Sequence, residues 1–229
     1  MESDPSVSLR LTTTPGPGAW LMLDAAWPLA AAGVWRDGRW ASFVRADGPA
    51  VESLFAIADR ALRDAGVKLS ELSGYIFAEG PGSVLGLRSA AMALRAWRVT
   101  PGVGEKPVLA GCSLRLAAAL AAAERPAEGP FTVFAASRRD RWNVLAAHAE
   151  HREECDTAGL AALPAPILQL PARDVGAHPV AAEKFDPVAA LHRHPEVFLT
   201  HGLLYLCDAP DAANLANTYA TWAGDRHRG

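Results

Sequence analysis

The chain has 229 residues, 50% of them hydrophobic, and a net charge of -3 at pH 7. That length can bury a core in one domain or two small lobes, and the charge offers no global attraction for nucleic acid. Cys112, Cys155 and Cys207 are widely spaced without a CxxC pair, which fits free thiols in a reducing compartment better than a disulfide framework. Residues 1–5 hold no basic region and no apolar one follows, so no signal peptide is expected. The longest Ala-rich run, 114–123, is broken by Arg115 and falls short of the roughly 18 apolar residues a membrane span needs. The expectation is a cytoplasmic chain without a membrane segment.

In chain order, residues 1–18 are rich in polar residues, Pro and Gly and are expected to be flexible or irregular. Residues 19–24 read as a buried strand ending on the polar Asp24, and 30–35 as a second strand. Asp37-Gly38 is a hairpin turn into a third strand over 39–44. Residues 49–65 have helical periodicity, with Val51, Leu54, Phe55, Ala58 and Leu62 on one stripe and Gly66 placed to end the helix. A connector over 67–72 leads into a short apolar strand over 73–78.

Gly80-Pro81-Gly82 cannot extend that strand, because Pro offers no ladder donor and Gly admits positive φ. Ser83 then suits the N-cap of a helix over 84–99. The only charges on this helix are Arg88, Arg95 and Arg98, so it is apolar around most of its circumference. Either it lies at the centre of the domain or another protein covers one of its faces. Residues 106–110 read as a strand, and Ser113 as the cap of an Ala/Leu helix ending near Arg125-Pro126. Residues 130–136 and 142–148 pair across the charged turn 137–141. Three meander strands followed by alternating helices and strands predict mixed sheets with helices packed on them. Beyond this the chain is Pro-rich, with short apolar runs at 167–170, 197–200 and 203–206 and no repeat of solenoid period. The divisions are a segment 1–18, a first lobe 19–126 and a smaller second lobe 127–229.

A Gly-rich turn between strand and helix can receive an anion. The P-loop lysine is missing, however, so Gly80, Pro81, Gly82, Ser83, Gly86 and Arg88 are expected to form a tight structural turn. His192, His194, His201, Cys207 and Asp208 concentrate metal-capable atoms, but no Cys pair or HExxH accompanies them, and solvated histidines are the expectation. Arg138, Arg139 and Arg141 can touch an RNA phosphate; with Asp140 among them a solvated hairpin tip is the default. Ser83, Ser113 and Cys112 have no readable base partner as nucleophiles. The seven Trp residues read as core or interface anchors, with Trp27 and Trp97 foremost as interface candidates. No catalytic, cofactor-binding or metal-binding residue is expected.

The run from Gly80 to Arg88, GPGSVLGLR, resembles the GPGSFTGLR turn and helix start of the TsaB (YeaZ) family, agreeing at seven of nine positions. Leu21-Met22-Leu23-Asp24 stands where that family carries an AIDTS first strand. Residues 136–142 are similar to its DARRGEVY hairpin, and Gly111-Cys112-Ser113-Leu114 occupies the place of a GVSSL helix start. The resemblance covers roughly residues 20–148. Two departures stand out. Asp24 is followed by Ala25-Ala26-Trp27-Pro28, which offers no hydroxyl and no Gly for a phosphate and leaves one carboxylate as a poor metal site. In place of the family's C-terminal Pro and Tyr-Leu-Arg motif there is only Asn217-Thr218-Tyr219.

The resemblance implies an α/β, actin-like (ribonuclease H-like) fold of mixed sheets flanked by helices in two lobes. It further implies a non-catalytic scaffold that supports a TsaD-type ATP- and metal-binding paralogue in threonylcarbamoylation of the tRNA adenosine next to the anticodon. A TsaE-type ATPase would be a further partner, and tRNA would be touched only indirectly or weakly. In the family, the helices corresponding to 51–65 and 83–99 pack against the same pair on a partner, and on a second copy when the protein is alone. The residues expected at that surface are Leu54, Ala58, Leu62, Leu87, Ala90, Ala91, Leu94 and Trp97. Two alternatives stay open: a divergent ATP-dependent phosphotransferase or glycoprotease-like hydrolase, and a paralogue that kept only the dimerising fold.

Overall fold

The computed structural model describes residues 12–126, 129–138, 140–147, 149, 151–164, 166–172 and 180–210. Strand β1 is Thr12–Thr13, and β2 (Ala19–Asp24), β3 (Leu29–Arg36) and β4 (Arg39–Pro49) form an antiparallel meander. All six residues of β2 are buried, as an unbroken apolar run requires when both faces of a strand are covered. Asp37 and Gly38 both take positive φ, 51° and 82°, the two-residue turn whose twist matches the strands it joins. Helix α1 is Ala50–Ala65, closed by Gly66 in the left-handed conformation with its N–H on the carbonyls of Arg63 and Leu62. Next come β5 (Gly74–Gly80), α2 (Val84–Arg98), β6 (Val108–Cys112) and α3 (Ser113–Glu124).

The second half runs β7 (Thr132–Arg138), β8 (Arg141–Ala146), β9 (Glu153–Asp156), α4 (Thr157–Ala161), β10 (Ile167–Gln169), β11 (Glu183–Lys184), α5 (Pro187–Arg193) and β12 (Leu204–Leu206). Two mixed sheets result, in the orders β1-β12-β6-β5-β2-β3-β4 and β11-β10-β7-β8-β9. They share one pattern. Each has a three-strand meander whose first strand pairs in parallel with a strand beyond a helix, and that strand pairs in parallel with another. The repeat is hidden in the sequence because the crossover helix has 16 residues in one half and 5 in the other.

The first sheet has two dressed faces. Leu21, Leu23, Tyr75 and Phe77 pack with α1 and α2, while Trp20, Met22 and Ile76 point to the side holding α3 and α5. Helix α3, apolar nearly all round, lies between the sheets and is the central helix of the chain. Helix α2 is therefore peripheral, with one face on the sheet and another left uncovered by the described residues. The chain's end also returns to the first sheet. Strand β12 pairs with β6 and β1 with β12, so residues 204–206 and 12–13 belong by hydrogen bonding to the first sheet, not to a second lobe or an irregular lead. The Trp35 and Trp40 indoles donate to the carbonyls of Pro195 (2.9 Å) and Leu191 (3.0 Å), tying that returning segment down.

Candidate functional site

The Gly-Pro-Gly turn closes on the turn that follows β2. The Ser83 N–H donates to the Ala26 carbonyl at 2.7 Å. A side chain on Gly82 would place its Cβ 2.3 Å from that same oxygen, and one on Gly86 would stand 2.2 Å from the Ala25 oxygen. Those glycines are there for close backbone approach. The Ser83 hydroxyl accepts from the Gly86 N–H at 3.3 Å, the N-cap its sequence position predicts. Ser113 does otherwise. It is the first residue of α3, after the capping position Cys112, and its hydroxyl accepts from the Gly80 N–H at 3.1 Å, so it braces the turn. Pro81 is buried and joined to Gly80 by a cis peptide, and Arg88 is half-buried in α2.

Asp24 sits at the edge of this clamp with a relative exposure of 3%. Its Oδ1 accepts from the Ala26 N–H and its Oδ2 from the Trp27 Nε1–H, both at 3.0 Å. Burial pushes its carboxyl up to about 6, and those two hydrogen bonds oppose the shift without cancelling it. Trp27, expected as an interface anchor, is instead 3% exposed and built into the core. A cavity of about 10 Å³ next to Asp24 has room for about one water and none for a nucleotide. The turn's free groups are spoken for: Ala26 N–H by Asp24, Ala26 carbonyl by Ser83. These residues do not fit a nucleotide phosphate or its metal.

The remaining candidates separate. Burial, first of all, pushes the Cys112 thiol up, so it is not an activated nucleophile. His192 stacks on Phe43 (ring centroids 4.8 Å apart), and His194 Nδ1 lies 3.0 Å from Glu196. Among the described residues no three His, Cys, Asp or Glu side chains converge as metal ligands. Arg138 closes β7 in backbone register with Arg141, an exposed residue opposite Asp156, and Arg139 lies outside the described residues. Among the described residues no helix is long and apolar enough to cross a membrane.

The α1/α2 surface is drawn by residues other than those the sequence reading named. Leu54, Ala58, Leu87, Ala90, Ala91 and Leu94 are at most 2% exposed and belong to the chain's own core. Leu62 and Trp97 are half-buried against it. What faces outward is Val51 and Phe55 on α1, with Val84, Leu85 and Met92 on α2 and Val99 just past its end. Leu85, Met92 and Val99 are 62%, 59% and 81% exposed and seven residues apart, so they line one side of the helix. That spacing is legible in the sequence. The stripe of Val51, Leu54, Phe55, Ala58 and Leu62 is split, with 54 and 58 turned to the sheet and 51 and 55 away from it. At the far end, Phe55 meets Trp97 edge-on at 6.1 Å and Trp97 stacks on the buried Tyr75 at 6.0 Å.

No curated protein matches this sequence. The fold is shared with solved structures. One titled "YeaZ from Pseudomonas aeruginosa" aligns with a TM-score of 0.53 and 21% identity over 67% of this chain and 76% of its own. Another, titled as an uncharacterized protein with similarity to peptidase YEAZ from Pseudomonas aeruginosa, aligns at TM-score 0.56 and 19% identity over 92% of this chain and 94% of its own. At sequence level, the family model described as "TsaD: tRNA N6-adenosine threonylcarbamoyltransferase" matches residues 49–170, from the end of β4 to just past β10 and more than half of the chain. By that match, this chain belongs to the TsaD family.

Proposed function

We propose that this chain is a TsaB-like scaffold subunit that works with a TsaD-type ATP- and metal-binding paralogue in tRNA threonylcarbamoylation. The observation that carries this reading is the outward apolar face of α1 and α2, formed by Val51, Phe55, Val84, Leu85 and Met92. An apolar patch shared by two adjacent helices is a place for another protein's helices. At roughly 25 cal/mol per Å², several hundred apolar Å² at such a seam offset the entropy of association. The filled turn after β2 supports the same reading, since a subunit that leaves the nucleotide to its partner has no need of an open phosphate site there. A TsaE-type ATPase belongs to the same proposed assembly. Arg138, Arg139 and Arg141 are this chain's proposed contribution to any tRNA contact.

Sedimentation of the chain alone and mixed with the TsaD-type protein of the same cells tests this. A mixed complex lost in Leu85→Asp and Met92→Asp, with the fold intact, supports the scaffold. A monomer indifferent to that protein discards it. A second reading has one observation in its favour: the matching family model is that of the transferase itself. It predicts threonylcarbamoyl transfer or ATP binding by the isolated chain, which calorimetry and a radiolabel assay would detect.

A further inference from the structure

Helix α2 carries more than an apolar line on its outer side. Arg88 lies three residues after Leu85 and four before Met92, and Arg95 stands in the same relation to Met92 and Val99. The spacing 85-88-92-95-99 is the alternating three and four of a helix–helix seam, with apolar residues at one heptad position and arginine at the other. Arg95 is exposed and Arg88 half-buried, as their place beside the apolar line requires. The helix has no acidic residue. Its third charge, Arg98, is turned to Glu105 and the Asp208 carbonyl. Arg88 and Arg95 already hold contacts within the chain. A guanidinium has five N–H donors, so each can keep those contacts and still offer donors outward.

The neighbouring helix does not answer these charges. On α1, Arg60 pairs with Asp64 at 3.5 Å and Arg63 pairs with Asp59, which leaves Glu52 as its one further carboxylate. A second copy is a poor fit for the seam. Two α2 helices laid parallel would set arginine against arginine. Laid antiparallel, they would press each arginine on Leu85 or Met92, taking a charge out of water without a counter-ion. A helix that brings carboxylates at the same seven-residue spacing meets both arginines with charge-assisted hydrogen bonds.

We propose that the outer face of α2 is occupied by a partner helix whose apolar line is flanked by Asp or Glu residues seven apart, their carboxylates on Arg88 and Arg95. This inference rests on the scaffold reading and adds to it the chemistry of the partner's surface. Leu85, Met92 and Val99 supply the buried area. The arginines choose the partner, fix its register and steer its approach.

The test measures association with the TsaD-type protein of the same cells for wild type, Arg88→Glu, Arg95→Glu, Arg95→Gln and Met92→Asp, with a circular dichroism melt of each. Arg95 is exposed, so its variants fold even if Arg88→Glu does not. At about 50 mM salt Arg95→Glu should weaken the complex about tenfold and Arg95→Gln less, and at about 500 mM the difference between them should shrink. Wild type should bind a second copy about tenfold more weakly than it binds the TsaD-type protein. A complex lost in Met92→Asp and untouched by Arg95→Glu overturns the inference and leaves the scaffold reading standing. Equal losses for Arg95→Gln and Arg95→Glu, unchanged by salt, assign the effect to packing and overturn it too. A wild-type dimer as tight as the mixed complex makes a second copy the occupant instead. No mixed complex at all discards both readings.

Discussion

The Trp27 indole N–H donates to Asp24 Oδ2 at 3.0 Å, and both side chains are buried. The pair makes the end of β2 a piece of core. A carboxylate is kept there only because two N–H groups meet its oxygens, and burial still leaves it easier to protonate than in water.

That pair makes stability depend on pH. The Asp24 carboxyl titrates near 6 when folded against an ordinary value of 3.8. Between about pH 4 and 6 the folded chain holds a proton that the unfolded chain has lost. The Asp24 contribution is therefore greatest in acid and falls by about 3 kcal/mol as pH rises through that window, then stays level. Asp24→Asn removes the effect. Urea midpoints of both proteins at pH 3.5, 5 and 7 should converge or diverge by that amount; parallel curves would mean the carboxyl titrates normally.

Replacing Trp27 by Phe keeps a ring but removes the N–H. Oδ2 is left without its donor, which should cost about 1–3 kcal/mol at pH 7 and less in acid, where the carboxyl is neutral. Denaturant unfolding at both pH values reads this directly. An equal loss at both would assign the effect to packing alone.

Gly86→Ala opposes two rules. Helix propensity favours the substitution by about 1 kcal/mol, but the new Cβ would stand 2.2 Å from the Ala25 oxygen, a backbone atom that cannot step aside. Overpacking should win, with a net loss of about 1–3 kcal/mol. Gly16→Ala, where nothing lies within 4 Å, is the control and should change thermal stability little. A stabilised Gly86→Ala would show that the two turns are not clamped.

Aspartate on α2 should act in two ways according to face. At Leu85 or Met92, both more than half exposed, it should leave thermal stability within about 0.5 kcal/mol while abolishing association with a partner or second copy. At Leu94, fully buried, it should unfold the chain, because a charge would enter the core between α2 and the sheet. Circular dichroism melts beside sedimentation separate the cases. Loss of fold at Met92→Asp would move that residue into the core.

From residue 19 through 146 the sequence by itself determined the elements and their order, because each rests on local chemistry. The Asp37-Gly38 hairpin, the Gly66 helix end, the Ser83 cap and the unbroken apolar run of β2 are decided within a few residues. It also led to the expectation that the GPGSVLGLR turn is structural. What only the tertiary structure decided is which side of each apolar helix the sheet would take. Leu54, Leu94 and Ala90 are as apolar as Phe55 and Met92, and nothing local tells a core contact from a surface one. That depends on the rotation of the helix against strands distant in sequence. The same holds for Trp27, whose partner atom is near in sequence but whose burial is imposed by neighbours far from it. It holds for β12 as well, whose three residues acquire a place only when β6 offers them an open edge.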